Sequence, residues 1–446
     1  MLKRRCFKAL AMALSALFIL PFSLFGCEKE HVHAFDQEVI RTEYLAGSSD
    51  CLRKARCFYS CKCGKKGTET FEYGEKRAHS RDKYNVCSLC RTVFADMTKD
   101  VVELGIPTLL EYSEKDTRNC GWDTHYYNGK IYRGCGDYDN NGSAVGIWSY
   151  NVQETRWEKE FVTSDVAIQR FIEIDGKLMA PGIDPIGSWD YGNFYVLSDK
   201  GWRKNGRVPN AIHSFDMIGY DGKIFVGLGP NHEYSPLVYT EDELNYVNVW
   251  FYKDNKRLDF SKSTQGGTYA RTYELFIYKG ELYCYLIYLG KYDIYKYSNG
   301  KMVCINDETS IPRSANTYNI WTSKFEFKDK FYIVAGALYE VTDLSEYSTF
   351  KKCVMPNNEV VADAIVRGGK CYLLTYHPTN IGGKYKITIY ESETMENGSL
   401  KEIKTFNYDV FPLSFDKVGD EFFVSMGGKS MTASIKNGML LKVKAK

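Results

Sequence analysis

Asn128-Gly129-Lys130-Ile131-Tyr132, Asp175-Gly176-Lys177-Leu178-Met179 and Asp221-Gly222-Lys223-Ile224-Phe225 are three copies of one pattern: a tight turn, a lysine, then two large apolar residues. Looser copies are Lys279-Gly280-Glu281-Leu282-Tyr283, Lys328-Asp329-Lys330-Phe331-Tyr332, Gly368-Gly369-Lys370-Cys371-Tyr372 and Gly419-Asp420-Glu421-Phe422-Phe423. Asn-Gly, Asp-Gly and Gly-Gly supply the positive φ that a type I′ hairpin turn requires. The second turn residues fall at 129, 176, 222, 280, 329, 369 and 420, with gaps of 47, 46, 58, 49, 40 and 51. The strand after each turn is apolar on both faces, as a strand covered on both sides must be. It often runs into glycine, as at Gly134, Gly182, Gly227 and Gly336. A second hairpin usually follows, as in Asp293 to Tyr297, the turn Ser298-Asn299-Gly300-Lys301, and Met302 to Cys304. Met431 to Ile435, the turn Asn437-Gly438 and Met439 to Val443 repeat the form.

Two hairpins in each unit of about 48 residues make a four-stranded sheet, and seven such sheets fall within the roughly 4–8 blades of a β-propeller. The expected fold is therefore all-β, a seven-bladed β-propeller over residues 122–446. A β-helix would repeat at a shorter period, and a β-sandwich would not show seven like units. Aromatic residues make up 15% of the chain, with 35 Tyr and 25 Phe, which suits pleated surfaces. Residues 99–121 read as a connector, with Pro107 and a polar run from Ser113 to Asn119. A net charge of +2 gives no electrostatic basis for a nucleic-acid partner.

The start of the chain is an address. Lys3, Arg4 and Arg5 precede an apolar stretch from Phe7 to about Phe25, broken by Pro21, which is the pattern of a secretory signal peptide. It ends in Leu24-Phe25-Gly26-Cys27. This resembles the lipobox of bacterial lipoproteins, although Phe25 is bulkier than usual. The resemblance implies removal of residues 1–26, lipidation of Cys27, and a mature chain held outside the cell membrane on a lipid tether. Loss of Lys3, Arg4, Arg5 and Lys8 takes the formal charge from +2 to −2.

A Cys/His-rich module, expected over residues 27–98, follows. Cys61-Lys62-Cys63-Gly64 and Cys87-Ser88-Leu89-Cys90 have the spacing of metal knuckles, in which a tight turn lets two thiolates reach one ion. The stretch from His33 through Cys61-Lys62-Cys63-Gly64 to Gly67-Thr68-Glu69-Thr70-Phe71 resembles small zinc-ribbon-like repeats of surface lipoproteins from Gram-positive gut bacteria. The resemblance implies that His33, Cys51, Cys61, Cys63, His79, Cys87 and Cys90 are ligand-type positions, for structural zinc. Seven exceed one site of four and fall one short of two. Disulfides are the alternative, since extracytoplasmic cysteines often pair, and Cys57, outside the pattern, leaves room for one. A bridge between Cys61 and Cys63 would be strained.

In propellers the ligand usually meets the loops entering the innermost strands and those joining the second and third strands. Gly136–Ala144, Pro181–Asn193, Gly229–Pro236 and His377–Lys384 are the longer loops of that kind. They offer Tyr138, Trp189, Tyr191, His232, Tyr234 and His377 as candidate ligand-binding residues, rings suited to stacking on sugars. Asp137-Tyr138-Asp139-Asn140-Asn141-Gly142 matches the opening of a calcium loop. Trp148 stands where the bidentate acid belongs, so the stretch reads as a solvated turn, with Ca²⁺ the alternative. Thr240–Tyr246 and Val341–Tyr347 resemble degenerate Asp-box turns of sialidase and glycosidase propellers, lacking the Gly and Trp.

No G-x-S-x-G elbow, P-loop or dinucleotide fingerprint occurs. Arg170, Arg271, Arg313 and Arg367 lie near inner strands, but the F-R-I-P signature of sialidases is missing. Asp123, Asp216, Glu274 and Asp363 are the acids expected to face the channel, and a pair of them would suit glycoside hydrolysis. The expected role is a monomeric, lipid-anchored protein whose propeller binds a glycan, peptide or protein. A carbohydrate-active enzyme and a structural envelope protein are the alternatives.

Overall fold

The computed structural model describes residues 31–114, 116–137, 143–187, 191–209, 211–230, 234–262, 269–307, 312, 321–396, 398–428 and 434–445. The chain forms two units, the first ending at Ala78 and the second running from His79 to Lys446. The expected division at residue 98 thus lies inside the second unit. Cys27 and the whole signal segment fall outside the described residues, among which no helix is long and apolar enough to cross a membrane.

The first unit is a three-stranded antiparallel sheet of Leu45–Gly47, Ala55–Ser60 and Lys66–Tyr73. Its core is small: Tyr44, Cys57 and Phe71, with Val39, Tyr59 and Tyr73 against them. A core of this size does not hold a fold alone, so the unit needs a further staple.

The second unit is a seven-bladed propeller. Blade I is Thr124–Tyr127, Lys130–Arg133, Gly146–Asn151 and Arg156–Val162. In blade II the innermost strand is split into Asp165–Ile168 and Ile172–Ile174, before Lys177–Pro185, Tyr191–Ser198 and Gly201–Pro209. Blade III is Ala211–Tyr220, Lys223–Pro230, Leu237–Thr240 and Tyr246–Asn248. Blade IV is Arg271–Tyr278, Glu281–Tyr288, Lys291–Ser298 and Lys301–Asn306, and Trp250–Lys253 lies parallel along its outer edge. Blades V and VI run from Ser323–Phe327 to Phe350–Lys352 and from Val360–Arg367 to Lys401–Tyr408.

Blade VII corrects the expectation for residues 99–121. Pro412–Val418, Glu421–Met426 and Leu440–Lys444 supply three strands, and the fourth is Val101–Gly105, antiparallel to Leu440–Lys444. The supposed connector therefore provides the outer strand that joins the two ends of the propeller. Its Leu104 is fully buried and accepts the Trp157 indole N–H on its carbonyl at 2.7 Å.

The turns take the conformation their residues predict. Asn128-Gly129, Asp175-Gly176, Asp221-Gly222 and Gly368-Gly369 all have positive φ at both positions. Glycines at the ends of the second strands permit close approach of neighbouring backbone. A Cβ at Gly134 would lie 2.7 Å from the Ile168 carbonyl, and one at Gly227 the same distance from the Thr272 carbonyl.

Candidate functional site

Each blade places one residue at the channel, six positions before its second turn residue: Asp123, Arg170, Asp216, Glu274, Ser323, Asp363 and Ser414. All but Glu274 line a cavity of about 430 Å³ at the centre of the ring. Glu274 is fully buried and holds Arg170, whose Nη1 is 2.9 Å away, and Lys324.

These side chains tie one blade to the next. Asp123 accepts the amide of Thr124 at 2.8 Å and that of Phe171, in blade II, at 2.7 Å. Asp216 accepts from Met217 at 3.0 Å and from Leu275, in blade IV, at 2.8 Å. Glu274 accepts from the Trp321 amide, ahead of blade V, at 3.1 Å. The Ser323 hydroxyl accepts from Ala364 of blade VI at 3.0 Å. Asp363 accepts from Ala364 at 2.8 Å and Phe415 of blade VII at 3.0 Å. Asp416 accepts the Tyr126 amide of blade I at 2.8 Å, which closes the circle. Blade II has Arg170 at this position, and its link to blade III is a strand pair instead, Ile183 opposite His213.

The four acids that suggested a hydrolase are thus committed to amides of adjoining blades. Asp216 and Glu274 also share Arg170, at 2.8 and 2.9 Å, and Lys324. Burial raises the Asp216 carboxyl, but the Arg170 and Lys324 charges outweigh it and hold the group below the usual range. Burial pushes Asp363 up to about 8, despite the Ser323 and backbone donors, and the Asp123 charge adds to the rise. Asp123 is raised by burial too. Of the arginines, Arg170 and Arg367 line the channel, and Arg367 pairs with Asp416 at 2.9 Å. Arg271 donates to the Tyr273 hydroxyl at 2.9 Å, and Arg313 is outside the described residues.

The first unit gathers His31, His33, Cys61 and Cys63, with one ligand atom of each within 4.8 Å of the others. His31 Nε2 is 2.8 Å from Cys61 Sγ, and His33 Nδ1 is 3.3 Å from Cys63 Sγ. The loop after the second strand is held by Tyr44, whose hydroxyl donates to the Gly64 carbonyl at 2.8 Å. The Cys63 backbone, then His31, lower the Cys61 thiol to about 5. Two thiols and two imidazoles are a donor set that fits tetrahedral Zn²⁺. His31 was not among the seven expected ligands, although His31-Val32-His33 repeats the one-residue spacing of Cys61-Lys62-Cys63. In the second unit His79, Cys87 and Cys90 bring ligand atoms within 4.8 Å of one another. Cys51, in the first unit, is buried and its thiol faces the Ala78 carbonyl at 3.8 Å. Cys57 is fully buried with its thiol 3.9 Å from the Arg41 carbonyl, and all described cysteines are free thiols.

The expected ligand-binding residues fare differently. Tyr138, Trp189 and His232 lie outside the described residues, as does most of the calcium-type loop. Tyr191, Tyr234 and His377 are described, and none lines the channel cavity. Tyr234 instead borders a second cavity with Trp250 and Arg257, whose guanidinium lies 3.5 Å from the Trp250 ring centre. His377 turns its Nδ1 onto the Thr379 amide at 3.2 Å. The channel's more exposed lining residues, Glu173 and Arg367, stand near the tight turns after the innermost strands. The lining runs from Trp122, Gln169, Thr322 and Leu413, where the innermost strands begin, to these turn-side residues. The Asp-box-like turns hold their form through Asp242, which caps Leu244 and Asn245 at 2.9 and 2.7 Å, and Asp343, which caps Ser345 at 2.8 Å.

No known protein-family description matches the sequence, and no characterised protein matches it either. Solved structures of similar form include YCF48 bound to D1 peptide, with a TM-score of 0.45 and 10% identity over 78% of this chain and 98% of that one. A chain of the mitotic checkpoint complex gives 0.44 and 7%, over 84% and 99%. Saccharomyces cerevisiae Sqt1 gives 0.40 and 12%, over 73% and 96%. The fold assignment rests on the sheets themselves: seven units of like build, closed into a circle by Val101–Gly105 and Asp416.

Proposed function

We propose that the chain is a cell-surface lipoprotein, anchored through Cys27, whose propeller receives an extracellular protein, peptide or glycan. The first unit is its spacer, stapled by Zn²⁺ on His31, His33, Cys61 and Cys63. One observation favours binding over hydrolysis: the channel carboxylates are engaged by backbone amides of adjacent blades, and Asp216, Glu274 and Asp416 are also paired with Arg170, Lys324 and Arg367. A glycosidase needs one carboxyl group free to protonate a leaving group and another free to attack or to activate water. The leader pattern ending at Cys27 supports the lipid anchor.

The test joins binding and turnover on one sample. The full chain, purified in detergent, is applied to peptide and glycan arrays, and the retained ligands are incubated with it and analysed for cleavage. Saturable binding without cleavage is expected. Ligand cleavage that disappears in Asp363→Asn would replace this reading with the enzymatic one. Metabolic labelling with palmitate should mark the wild-type chain and spare Cys27→Ala.

A further inference from the structure

Charge in the channel does not cancel. Asp216 and Glu274 are matched by Arg170 and Lys324, Asp416 by Arg367 at 2.9 Å, and Glu173 faces His125 at 2.9 Å. Asp123 and Asp363 remain, and neither has a basic side chain within ion-pair distance among the described residues. Both line the cavity.

The same cavity contains side chains whose polar atoms have no partner. Gln169 is 2% exposed, and both its amide oxygen and its amide nitrogen are unsatisfied. The hydroxyls of Thr124, 3% exposed, and Ser414, 6% exposed, are unsatisfied as well. Each lines the channel cavity. Leaving a buried polar group unpaired is costly. Four such atoms around one cavity are therefore a sizeable unclaimed interaction energy. Gln169 sits where the innermost strand of blade II is interrupted, between Asp165–Ile168 and Ile172–Ile174, so the break turns it out of the sheet ladder.

We propose that the central channel binds a small polar solute bearing a protonated amine, with its ammonium group between Asp123 and Asp363 and its hydroxyl or carbonyl groups on Gln169, Thr124 and Ser414. An ammonium group beside the two acids favours their ionised forms, releasing the proton that burial holds on Asp363, and Gln169 can both donate and accept. The roughly 430 Å³ is large enough to admit a solute the size of an amino sugar. The raised carboxyls agree with this placement, since bringing a positive charge beside them offsets their burial. This inference is independent of the partner-binding reading, and either holds if the other fails.

The probes are glucosamine and its neutral counterpart N-acetylglucosamine, titrated calorimetrically into the full chain in detergent, with thermal melting in parallel. Glucosamine should bind and raise the Tm, and N-acetylglucosamine should bind at least tenfold more weakly. Gln169→Ala, which touches none of the interblade bonds, should weaken glucosamine at least fivefold and leave the Tm of the free protein nearly unchanged. Asp123→Asn should weaken it tenfold or more, and Ser414→Ala serves in its place should that variant not fold. Equal binding of the two sugars, no binding to folded protein, or Gln169→Ala binding as the parent does would overturn the proposal. Stabilisation by Ca²⁺ alone, with no response to glucosamine, would also overturn it and make the cavity a metal site.

Discussion

Asp416 takes the Tyr126 amide at 2.8 Å, joining the last blade to the first. Removing its carboxylate leaves that amide without its acceptor, and charged hydrogen bonds of this kind contribute about 1.5–3 kcal/mol. Asp416→Ala should lower the urea unfolding free energy by about 2 kcal/mol. The Arg367 side chain is 43% exposed, so Arg367→Ala should cost well under half of that. A second expectation concerns Asp363, raised by burial from 3.8 to about 8. Between those values the folded state keeps a proton that the unfolded state has lost, so stability falls as pH rises from about 4 to about 8 and then levels. Asp165, raised mainly by burial to about 6, adds a fall of the same sign below that pH. Urea midpoints measured from pH 5 to 9 should therefore decline in the parent and decline less in Asp363→Asn between pH 6 and 8. An identical slope would mean that Asp363 is ionised throughout. The channel acids were legible in the sequence by their distance from the turns, but their work was not. Asp363 serves an amide 52 residues away, and only the closed ring brings that donor within reach.

At the scale of elements, the seven hairpins were readable because each turn is chemically marked and its strands are neighbours in sequence. Residues 101–105 were not, because Val101-Val102-Glu103-Leu104-Gly105 has no local turn and its partner strand lies at the far end of the chain. His31 was passed over for a related reason: a short histidine spacing names a ligand only once the loop after Ala55–Ser60 is folded against it. The closing strand should be indispensable. Leu104→Ala should cost about 2–5 kcal/mol, as for other buried leucines. Calorimetry should show a lowered Tm, and a loss below 1 kcal/mol would mean that blade VII holds without this contact. Gly227→Ala should cost about 1–3 kcal/mol, because its Cβ would press on the Thr272 carbonyl at 2.7 Å.

Over the whole molecule, two different solutions to stability are joined in one chain. The propeller buries extensive apolar surface between blades, while the first unit has a core of three buried side chains beside a Cys/His cluster able to hold a metal ion, the staple proposed above. Metal removal should therefore act on the first unit most strongly. Treatment with a strong chelator should abolish amide-exchange protection in Ala55–Ser60 and Lys66–Tyr73 while blades III to VI stay protected. Cys61→Ser should lower the measured zinc content by one ion per chain, and unchanged content would remove zinc from this cluster. The placement of Val101–Gly105 has a further consequence during biosynthesis. The ribosome makes that strand long before its mate, Leu440–Lys444. At roughly 5–20 residues per second, the early segment waits on the order of half a minute with its backbone unmatched. Throughout that interval the nascent polypeptide presents a sticky edge, and a holdase is the natural guard against its pairing with a stranger.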